Sequence, residues 1–260
     1  MVIAERNNKI IVKKNFSRYA DLYDQYADIQ RLSADELIKK TPAGGIRDII
    51  DIGCGTGNYT NLLRCKFKDA GIRALDISDD MIRVARKKYA AQAIEFVVAD
   101  AEHIDLGGSY DLITSNATFQ WFGDLGLSIS KYRDALRPQG VIVFSTFGPS
   151  TFWELGRSLK EVLGPLVKIS SCDFLTKETL TSMMDIHFRD VSIEESMVKK
   201  VYGSLEELLK HIKYTGTRGS GISGASGLDR ATLCRIEEAY VSNFGAIEAS
   251  HQIFYCGGSR

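Results

Sequence analysis

A glycine-rich segment headed by an acid, Asp51-Ile-Gly53-Cys54-Gly55-Thr-Gly57, contains the residues whose chemistry is easiest to infer. Glycines at a turn let the backbone bend tightly and let a ligand approach without obstruction by Cβ atoms. The helical pattern that begins at Asn58 would offer its unpaired N–H groups to an anion. Nicotinamide and flavin enzymes use G-x-G-x-x-G spacing, which suits a pyrophosphate. The spacing here is G-x-G-x-G, which indicates another ligand.

Acidic residues also close the next two predicted strands. Asp76 ends the second strand, about 20 residues beyond the glycine loop, and Asp100 followed by Ala101 ends the third. A carboxylate at the second position can accept both hydroxyls of a ribose, and an acceptor with a backbone N–H at the third can read the edge of adenine. S-adenosylmethionine (SAM) carries these groups and no phosphate, and Asp51 can pair with its cationic methionine end. The three acids therefore predict a SAM site.

Segments of strand and helix type alternate around these residues. The predicted strands are Ile46–Ile52, Ile72–Asp76, Ile94–Ala99, Tyr110–Ser115 and Val141–Phe147. The predicted helices are Asn58–Asp69, Ser78–Tyr89 with Ser78 as N-cap, and Leu125–Leu136. This alternation implies a parallel sheet covered on both faces, and right-handed crossovers make it doubly wound. The sequence predicts a mostly parallel, Rossmann-like α/β fold with its ligand at the carboxyl ends of the strands.

The flanking segments have other patterns. Residues 16–40 carry apolar side chains at spacings of three and four, which predicts one or two amphipathic helices. Later predicted elements are helix Thr151–Leu163, strand Phe188–Ser196, helices Leu205–Tyr214 and Arg230–Val241, and strand His251–Cys256. The Gly- and Ser-rich segment Gly216–Gly227 predicts a loop. We expect one domain over 1–260, with N-terminal lid helices at 14–40, a SAM-binding core at 46–147 and a helical cap at 203–245.

The composition excludes several classes of protein. Lys plus Arg and Asp plus Glu number 33 each, so no net charge favours nucleic acid or a membrane surface. No stretch approaches the roughly 18 apolar residues of a membrane span, and no secretory leader is recognisable at the N-terminus. The five cysteines are scattered without a CxxC pair, which argues against disulfides and a zinc site. We expect a cytoplasmic protein with free thiols and no metal.

The motifs resemble those of known methyltransferases. Asp51–Gly57, Asp76, Asp100 and Ser115-Asn116 look like the ordered motifs of class I SAM-dependent methyltransferases, over residues 46–147. Nearly the whole chain resembles the malonyl-acyl-carrier-protein O-methyltransferases of biotin synthesis. The similar flanking segments are Phe16-Ser-Arg18-(x)4-Tyr23-(x)3-Ala27-(x)2-Gln30, Ser115-Asn116-(x)3-Gln120-Trp121, Phe144-Ser-Thr146-Phe147, Lys213-Tyr-Thr-Gly216-Thr217 and Ser250-His251-(x)2-Phe254. The Gly/Ser-rich loop and Ala249-Ser250 depart from the family pattern, which leaves substrate detail less constrained than reaction class.

The resemblance implies methyl transfer from SAM to the free carboxylate of a malonyl thioester, carried by acyl carrier protein or coenzyme A, early in biotin synthesis. Such a carboxylate is ionised at neutral pH and needs no general base. The implied cofactor-binding residues are Asp51, Gly53, Cys54, Gly55, Gly57, Asp76, Ile77, Met81, Asp100, Ala101, Ser115 and Asn116. The implied reaction site comprises Tyr23, Gln120, Trp121, Lys213 and His251, near Phe16 and Gln30. A basic patch of Lys199, Lys200 and Lys210 would steer an acidic carrier protein.

Other interpretations stay open at this point. Taken alone, Tyr23, Trp121 and His251 could be core side chains, and Lys213 could be a solvated lysine. Another small-acid methyltransferase, such as a trans-aconitate-like enzyme, would prefer a free acid to a thioester. A SAM-binding regulator would bind SAM and form no product. A nicotinamide oxidoreductase is disfavoured by the glycine spacing, and no motif indicates nucleic-acid methylation.

Overall fold

The architecture is built on a seven-stranded sheet in a computed structural model that describes residues 2–217, 222–223 and 228–260. The strands are β1 (Asp48–Ile52), β2 (Gly71–Asp76), β3 (Ile94–Val98), β4 (Tyr110–Asn116), β5 (Leu136–Phe147), β6 (Lys168–Ile169), β7 (Arg189–Tyr202), β8 (Ile222–Ser223) and β9 (Ile247–Ser259). The order across the sheet is β3-β2-β1-β4-β5-β9-β7, and β6 pairs separately with β8. Strands β1 to β5 are parallel, whereas β9 and β7 are antiparallel. The predicted doubly wound, mostly parallel fold is confirmed.

Helices cover both faces of this sheet. They are α1 (Val2–Arg18), α2 (Tyr23–Tyr26), α3 (Asp28–Lys40), α4 (Asn58–Lys66), α5 (Asp79–Lys88), α6 (Leu125–Ala135), α7 (Trp153–Leu163), α8 (Lys177–His187), α9 (Leu205–Tyr214) and α10 (Arg230–Phe244). Alternate residues of β1 enter different cores: Ile49 packs with Leu37 of α3, and Ile50 with Ile129 of α6. Side chains alternate along a strand in this way, so a strand covered on both faces is apolar throughout.

A separate apolar cluster holds the cap together. Leu208 of α9 and Tyr240 of α10 share it with Leu155 and Leu159 of α7. Helix α7, which precedes the predicted cap at 203–245 in the sequence, therefore packs together with it. Most of the predicted loop Gly216–Gly227 lies outside the described residues.

Several boundaries differ from the predictions. Strand β7 runs to Tyr202 instead of Ser196, and β9 starts at Ile247 and ends at Ser259, because the two pair over almost their full length. Strand β7 forms the sheet edge and carries charged residues, which commonly protect an edge strand against aggregation. These charges interrupt the apolar pattern from which its full length could have been predicted. Strand β5 starts at Leu136 instead of Val141, through a turn at Gln139 with φ of +67°. Helix α8 was not predicted.

The structure also bears on the membrane and cysteine predictions. Within the described residues, no helix is long and apolar enough to cross a membrane. All five cysteines are free, and Cys65, Cys172 and Cys234 are exposed. Among the described side chains, no group of three or more His, Cys, Asp or Glu is arranged to hold a metal ion.

The packing of α3 on the sheet can be tested with two matched leucines. Leu37 is fully buried, whereas Leu32 on the same helix is 50% exposed. We expect Leu37→Ala to lower the free energy of unfolding by about 2–5 kcal/mol and Leu32→Ala to change it by no more than about 0.5 kcal/mol. Denaturant titration measures both. Equal losses would contradict the described packing, because the two substitutions remove the same atoms.

Candidate active site

The glycine loop joins β1 to α4 with a left-handed backbone at Gly53, Gly55 and Gly57, where φ is +71°, +54° and +84°. A Cβ atom on Gly53 would lie 2.2 Å from the side chain of Thr118, and one on Gly57 would lie 2.9 Å from Tyr89. A Cβ atom on Gly55 would meet no atom within 4 Å. The left-handed backbone favours glycine at all three positions, and internal packing also requires it at Gly53 and Gly57, while Gly55 faces open space.

A cleft of about 740 Å³, counting the part open to solvent, lies at the carboxyl ends of the parallel strands. We call it the cofactor cleft. The predicted cofactor residues that line it are Gly53, Gly55, Asp76, Ile77, Met81, Asp100, Ala101 and Asn116. Helix α1 adds Lys9, Val12 and Phe16, and α2 adds Tyr23, so the N-terminal helices form part of the wall. The crossover topology brings these distant residues to one sheet edge.

Asp76 is fixed by backbone groups at the end of β2. Its Oδ2 accepts from the N–H of Gly55 at 2.9 Å, and its Oδ1 accepts from the N–H of Ser78 at 2.8 Å. Burial raises the pKa of Asp76 to about 6, against the opposing effect of these two hydrogen bonds. Each oxygen has a second lone pair, so the carboxylate can still accept from two hydroxyl groups.

A second chamber of about 410 Å³ adjoins the cofactor cleft, and Tyr23 and Asn116 line both. Asp51 is fully buried there; its Oδ2 accepts from the Thr60 hydroxyl at 2.6 Å, and its Oδ1 has no hydrogen-bond partner. Burial raises the pKa of Asp51 to about 7. Arg31 also lines this Asp51 chamber. An ammonium would supply the missing partner of Asp51, and Arg31 offers a cation for a carboxylate, so the residues fit the amino-acid end of SAM.

A third cavity, of about 330 Å³ when the part open to solvent is counted, shares Trp121 with the cofactor cleft. We call it the inner cavity; Trp121 also lines the cofactor cleft, and Gln30 also lines the Asp51 chamber. Several lining residues of the inner cavity carry a buried side-chain atom without a hydrogen-bond partner. In the described part of the chain, those on its lining residues are Gln30 Oε1, Trp121 Nε1, His211 Nδ1 and His251 Nε2. Such atoms are costly to bury unpaired, so their occurrence on four residues of one cavity indicates a polar ligand.

Two histidines of this cavity differ in their surroundings. His211 Nε2 contacts Asp28 Oδ1 at 2.7 Å, and Lys200 Nζ lies 2.6 Å from Asp28 Oδ2. Burial alone would raise the pKa of Asp28, but the hydrogen bonds from His211 and Lys200 outweigh it and lower the pKa below its usual range. Burial, together with nearby His211, lowers the pKa of His251 to about 3. His251 is therefore neutral at physiological pH.

Comparison with known proteins identifies the family of this chain. The family described as a methyltransferase domain matches residues 50–144. Malonyl-[acyl-carrier protein] O-methyltransferase 2 of Ilyobacter polytropus is 36% identical over 249 residues, covering 94% of this chain and 95% of the relative. The chain belongs to the malonyl-[acyl-carrier protein] O-methyltransferase family. The protein of that name from Bacillus cytotoxicus is 33% identical over 95% of this chain and 90% of its own length.

Solved structures agree on the fold of this family member. The crystal structure of the YcgJ protein of Bacillus subtilis superposes with a TM-score of 0.63, covering 88% of this chain and 98% of that one. At 14% identity this similarity concerns the fold alone. The expected class I methyltransferase architecture is confirmed.

Some residues expected at the methyltransferase site have other contacts. The Ser115 hydroxyl donates to the Ile52 carbonyl at 2.7 Å within the sheet. Gln120 donates to the Ala117 carbonyl and accepts from the Thr146 hydroxyl. Both ends of its side-chain amide therefore stabilise the loop after β4. Lys213 is exposed, outside the cavities. Cys54 lines the Asp51 chamber, and Tyr23, Trp121 and His251 line cavities as expected.

Sequence reasoning missed other residues that line or support the site. Lys9 of α1 lies 2.6 Å from Asp100, whose carboxylate His103 also contacts. Lys9 was missed because α1 begins at Val2, whereas the predicted N-terminal helices covered only residues 14–40. His211 and Asp28 meet although 183 residues separate them. The sequence shows only an acid at the start of α3 and a histidine near the end of α9. Nothing in either segment predicts that these two residues are in contact.

The raised pKa of Asp51 makes SAM affinity depend on pH. A bound ammonium stabilises the ionised carboxylate, so binding lowers its pKa below 7 and releases a proton. We expect the Kd for SAM to rise by up to about tenfold for each pH unit below 7. Calorimetry in buffers of different ionisation enthalpy measures both effects. In Asp51→Asn we expect weaker binding and loss of this dependence between pH 6 and 7; an unchanged slope would assign the proton to another group, such as Asp76.

Proposed function

We propose that this chain transfers the methyl group of SAM to the free carboxylate of a malonyl thioester presented by an acyl carrier protein, giving the methyl ester. The observation that carries the proposal is the inner cavity, which shares Trp121 with the cofactor cleft and whose lining residues carry buried polar atoms without a hydrogen-bond partner. The family to which the chain belongs supports the same reaction. As the sequence resemblance implies, we assign the reaction to an early step of biotin synthesis, where the ester hides a charge from fatty-acid elongation.

The residues of the cofactor cleft and the Asp51 chamber can hold SAM along its length. In this proposal Asp51 pairs with the ammonium, Arg31 with the carboxylate, and Asp76 with the ribose hydroxyls. Ile77 and Met81, which line the cleft, would flank the adenine, and Asp100 would accept from its edge. SAM, when bound, supplies a methyl group activated by the adjacent sulfonium.

The inner cavity suits an anionic acceptor. The described residues that line it include no Asp or Glu, and the nearby Asp28 carboxylate is paired with His211 and Lys200. The Trp121 indole is a donor only and offers Nε1–H, and the neutral His251 can donate one N–H. A malonyl carboxylate, with an ordinary pKa near 4, is ionised at neutral pH and needs no base to activate it. These residues bind and orient the acceptor.

Exclusion of water is the other contribution of the chain. Methyl transfer to a carboxylate neutralises the positive sulfonium and the negative carboxylate. Water stabilises these two charged reactants and so raises the barrier to the reaction. Phe147, Phe152 and Phe174 line the inner cavity, and Phe16 and Phe122 line the cofactor cleft. Aromatic walls keep the reacting groups dry, and alignment of two bound reactants contributes at most about 7–11 kcal/mol to lowering the barrier.

Mass spectrometry of reaction products tests the proposed function. The purified protein is incubated with SAM and, in parallel, malonyl-acyl carrier protein, malonyl-coenzyme A and free malonate. One added methyl group on the thioesters but not on malonate is expected. Methylation of malonate alone would favour a free-acid methyltransferase, and SAM binding without any product would favour a regulator.

The unpartnered indole N–H of Trp121 allows a sharper test. Phenylalanine keeps an aromatic wall and removes the donor, so Trp121→Phe is expected to reduce kcat/KM by about 10- to 100-fold, as for a lost hydrogen bond to a charged group. The free energy of unfolding of the ligand-free protein should not fall, because an unsatisfied buried donor has been removed. Trp153→Phe, at an exposed position of α7, is the matched control and should leave kcat/KM unchanged. Full activity in Trp121→Phe would refute the assigned contact.

A further inference from the structure

The N-terminal helices meet α9 of the cap in a group of tyrosines next to a glycine. Tyr19 packs edge-on against Tyr214 with ring centroids 5.0 Å apart, and Tyr26 stacks on Tyr214 at 4.6 Å. A Cβ atom on Gly216 would lie 2.5 Å from the Phe16 ring, so that ring rests directly on the glycine backbone. We call this group of five residues the aromatic seam.

The aromatic seam borders both compartments of the proposed active site. Phe16 lines the cofactor cleft and contacts Trp121, with ring centroids 6.3 Å apart. Thr215 and Thr217, on either side of Gly216, line the inner cavity. Contacts between separate segments form the seam, so its side chains can part without breaking a strand or a helix. A substrate that passes between them reaches Trp121 from outside.

Two cations stand on the outer side of this seam without acidic partners. Lys213 Nζ lies 5.5 Å from the Tyr19 ring centroid and 5.2 Å from that of Tyr214, and the Arg18 guanidinium lies 5.5 Å from Tyr19. Both residues are exposed, and neither forms a salt bridge with an acid in the described part of the chain. Cation–π contacts hold such side chains in place and leave their charge available to a partner.

The basic patch predicted from the sequence has a different electrostatic character. Lys199 pairs with Glu248 at 3.0 Å, Lys200 with Asp28 at 2.6 Å and Lys210 with Glu206 at 2.7 Å. Their charges are largely compensated within the chain. Arg18 and Lys213, by contrast, form no ion pair within the described part of the chain, so their charge remains available to a partner.

We propose that the aromatic seam is the docking site of an acidic acyl carrier protein, whose phosphopantetheine arm passes between Phe16 and Gly216 while its acidic surface binds Arg18 and Lys213. This inference rests on the proposed function. The reacting carboxylate must enter the inner cavity, whereas the carrier is too large to follow, so the arm crosses the surface where both compartments are bordered. Leu22, 38% exposed in the turn between α1 and α2, adds the apolar contact typical of a protein interface with Arg and Tyr.

Charge reversal of Arg18 tests the docking site. Steady-state kinetics of wild type and Arg18→Glu are compared on malonyl-acyl carrier protein and on malonyl-N-acetylcysteamine, a truncated thioester without phosphate or carrier. Loss of an interfacial charge acts mainly on association, so kcat/KM for the carrier substrate is expected to fall by about tenfold or more and to lose its dependence on salt. The kcat/KM for the truncated thioester should not change, and unchanged SAM affinity shows that the variant is folded.

A matched control and a third substrate make the outcomes distinct. Lys199→Glu reverses one charge of the other patch, and a larger loss there than in Arg18→Glu would overturn the docking site. An equal loss with malonyl-coenzyme A would assign Arg18 to the phosphate and overturn the role of the carrier surface. Methylation of the truncated thioester by wild type, with Arg18→Glu fully active on the carrier, would refute docking alone. No methylation of any substrate by wild type would overturn the proposed function together with this inference.

Discussion

Several polar groups at the carboxyl edge of the sheet are buried without a hydrogen-bond partner in the described part of the protein. Asp51 is buried at the end of β1 with one carboxylate oxygen unpaired, and the inner cavity holds unpaired atoms of Trp121 and His251. Burial without a partner is among the more costly features of a folded chain, and a rigid scaffold has to hold these groups in place. The apolar cores on both faces of the sheet provide that scaffold, so the site depends on the packing beneath it.

The two proposed binding regions are joined by one short segment of helix. Helix α3 carries Gln30, which lines both the Asp51 chamber and the inner cavity, and its first residue is Asp28, which holds His211 and Lys200. Asn116 donates to the Gln30 carbonyl at 3.0 Å, which ties α3 to the end of β4. Cofactor side, acceptor side and cap are therefore positioned by one element. A displacement of α3 would alter all of them together.

The sequence predicted those features of the structure that depend on local, repeating patterns of residues. Strand and helix alternation predicted the sheet, and parallel strands end at one edge, so Asp51, Asp76 and Asp100 could be assigned to one site without coordinates. Trp121 and His251 of the inner cavity were predicted through the family resemblance. The part played by His211 and Asp28 could not be predicted, because only the packing of α9 on the N-terminal helices brings these two residues together. Gln120 shows the opposite difficulty. Its place in a motif suggested chemistry, yet its amide holds a loop, and no sequence pattern separates those two roles.

Strand β9 has a further consequence for how the protein forms. It lies between β5 and β7 in the sheet but follows both in the chain, so β7 has no place in the sheet until β9 has been synthesised. Strands β1 to β5, with the glycine loop, can assemble on their own parallel pairings before that. During synthesis the strands that border the cofactor cleft therefore precede His251, which β9 carries, so the inner cavity cannot be complete until β9 has taken its place in the sheet.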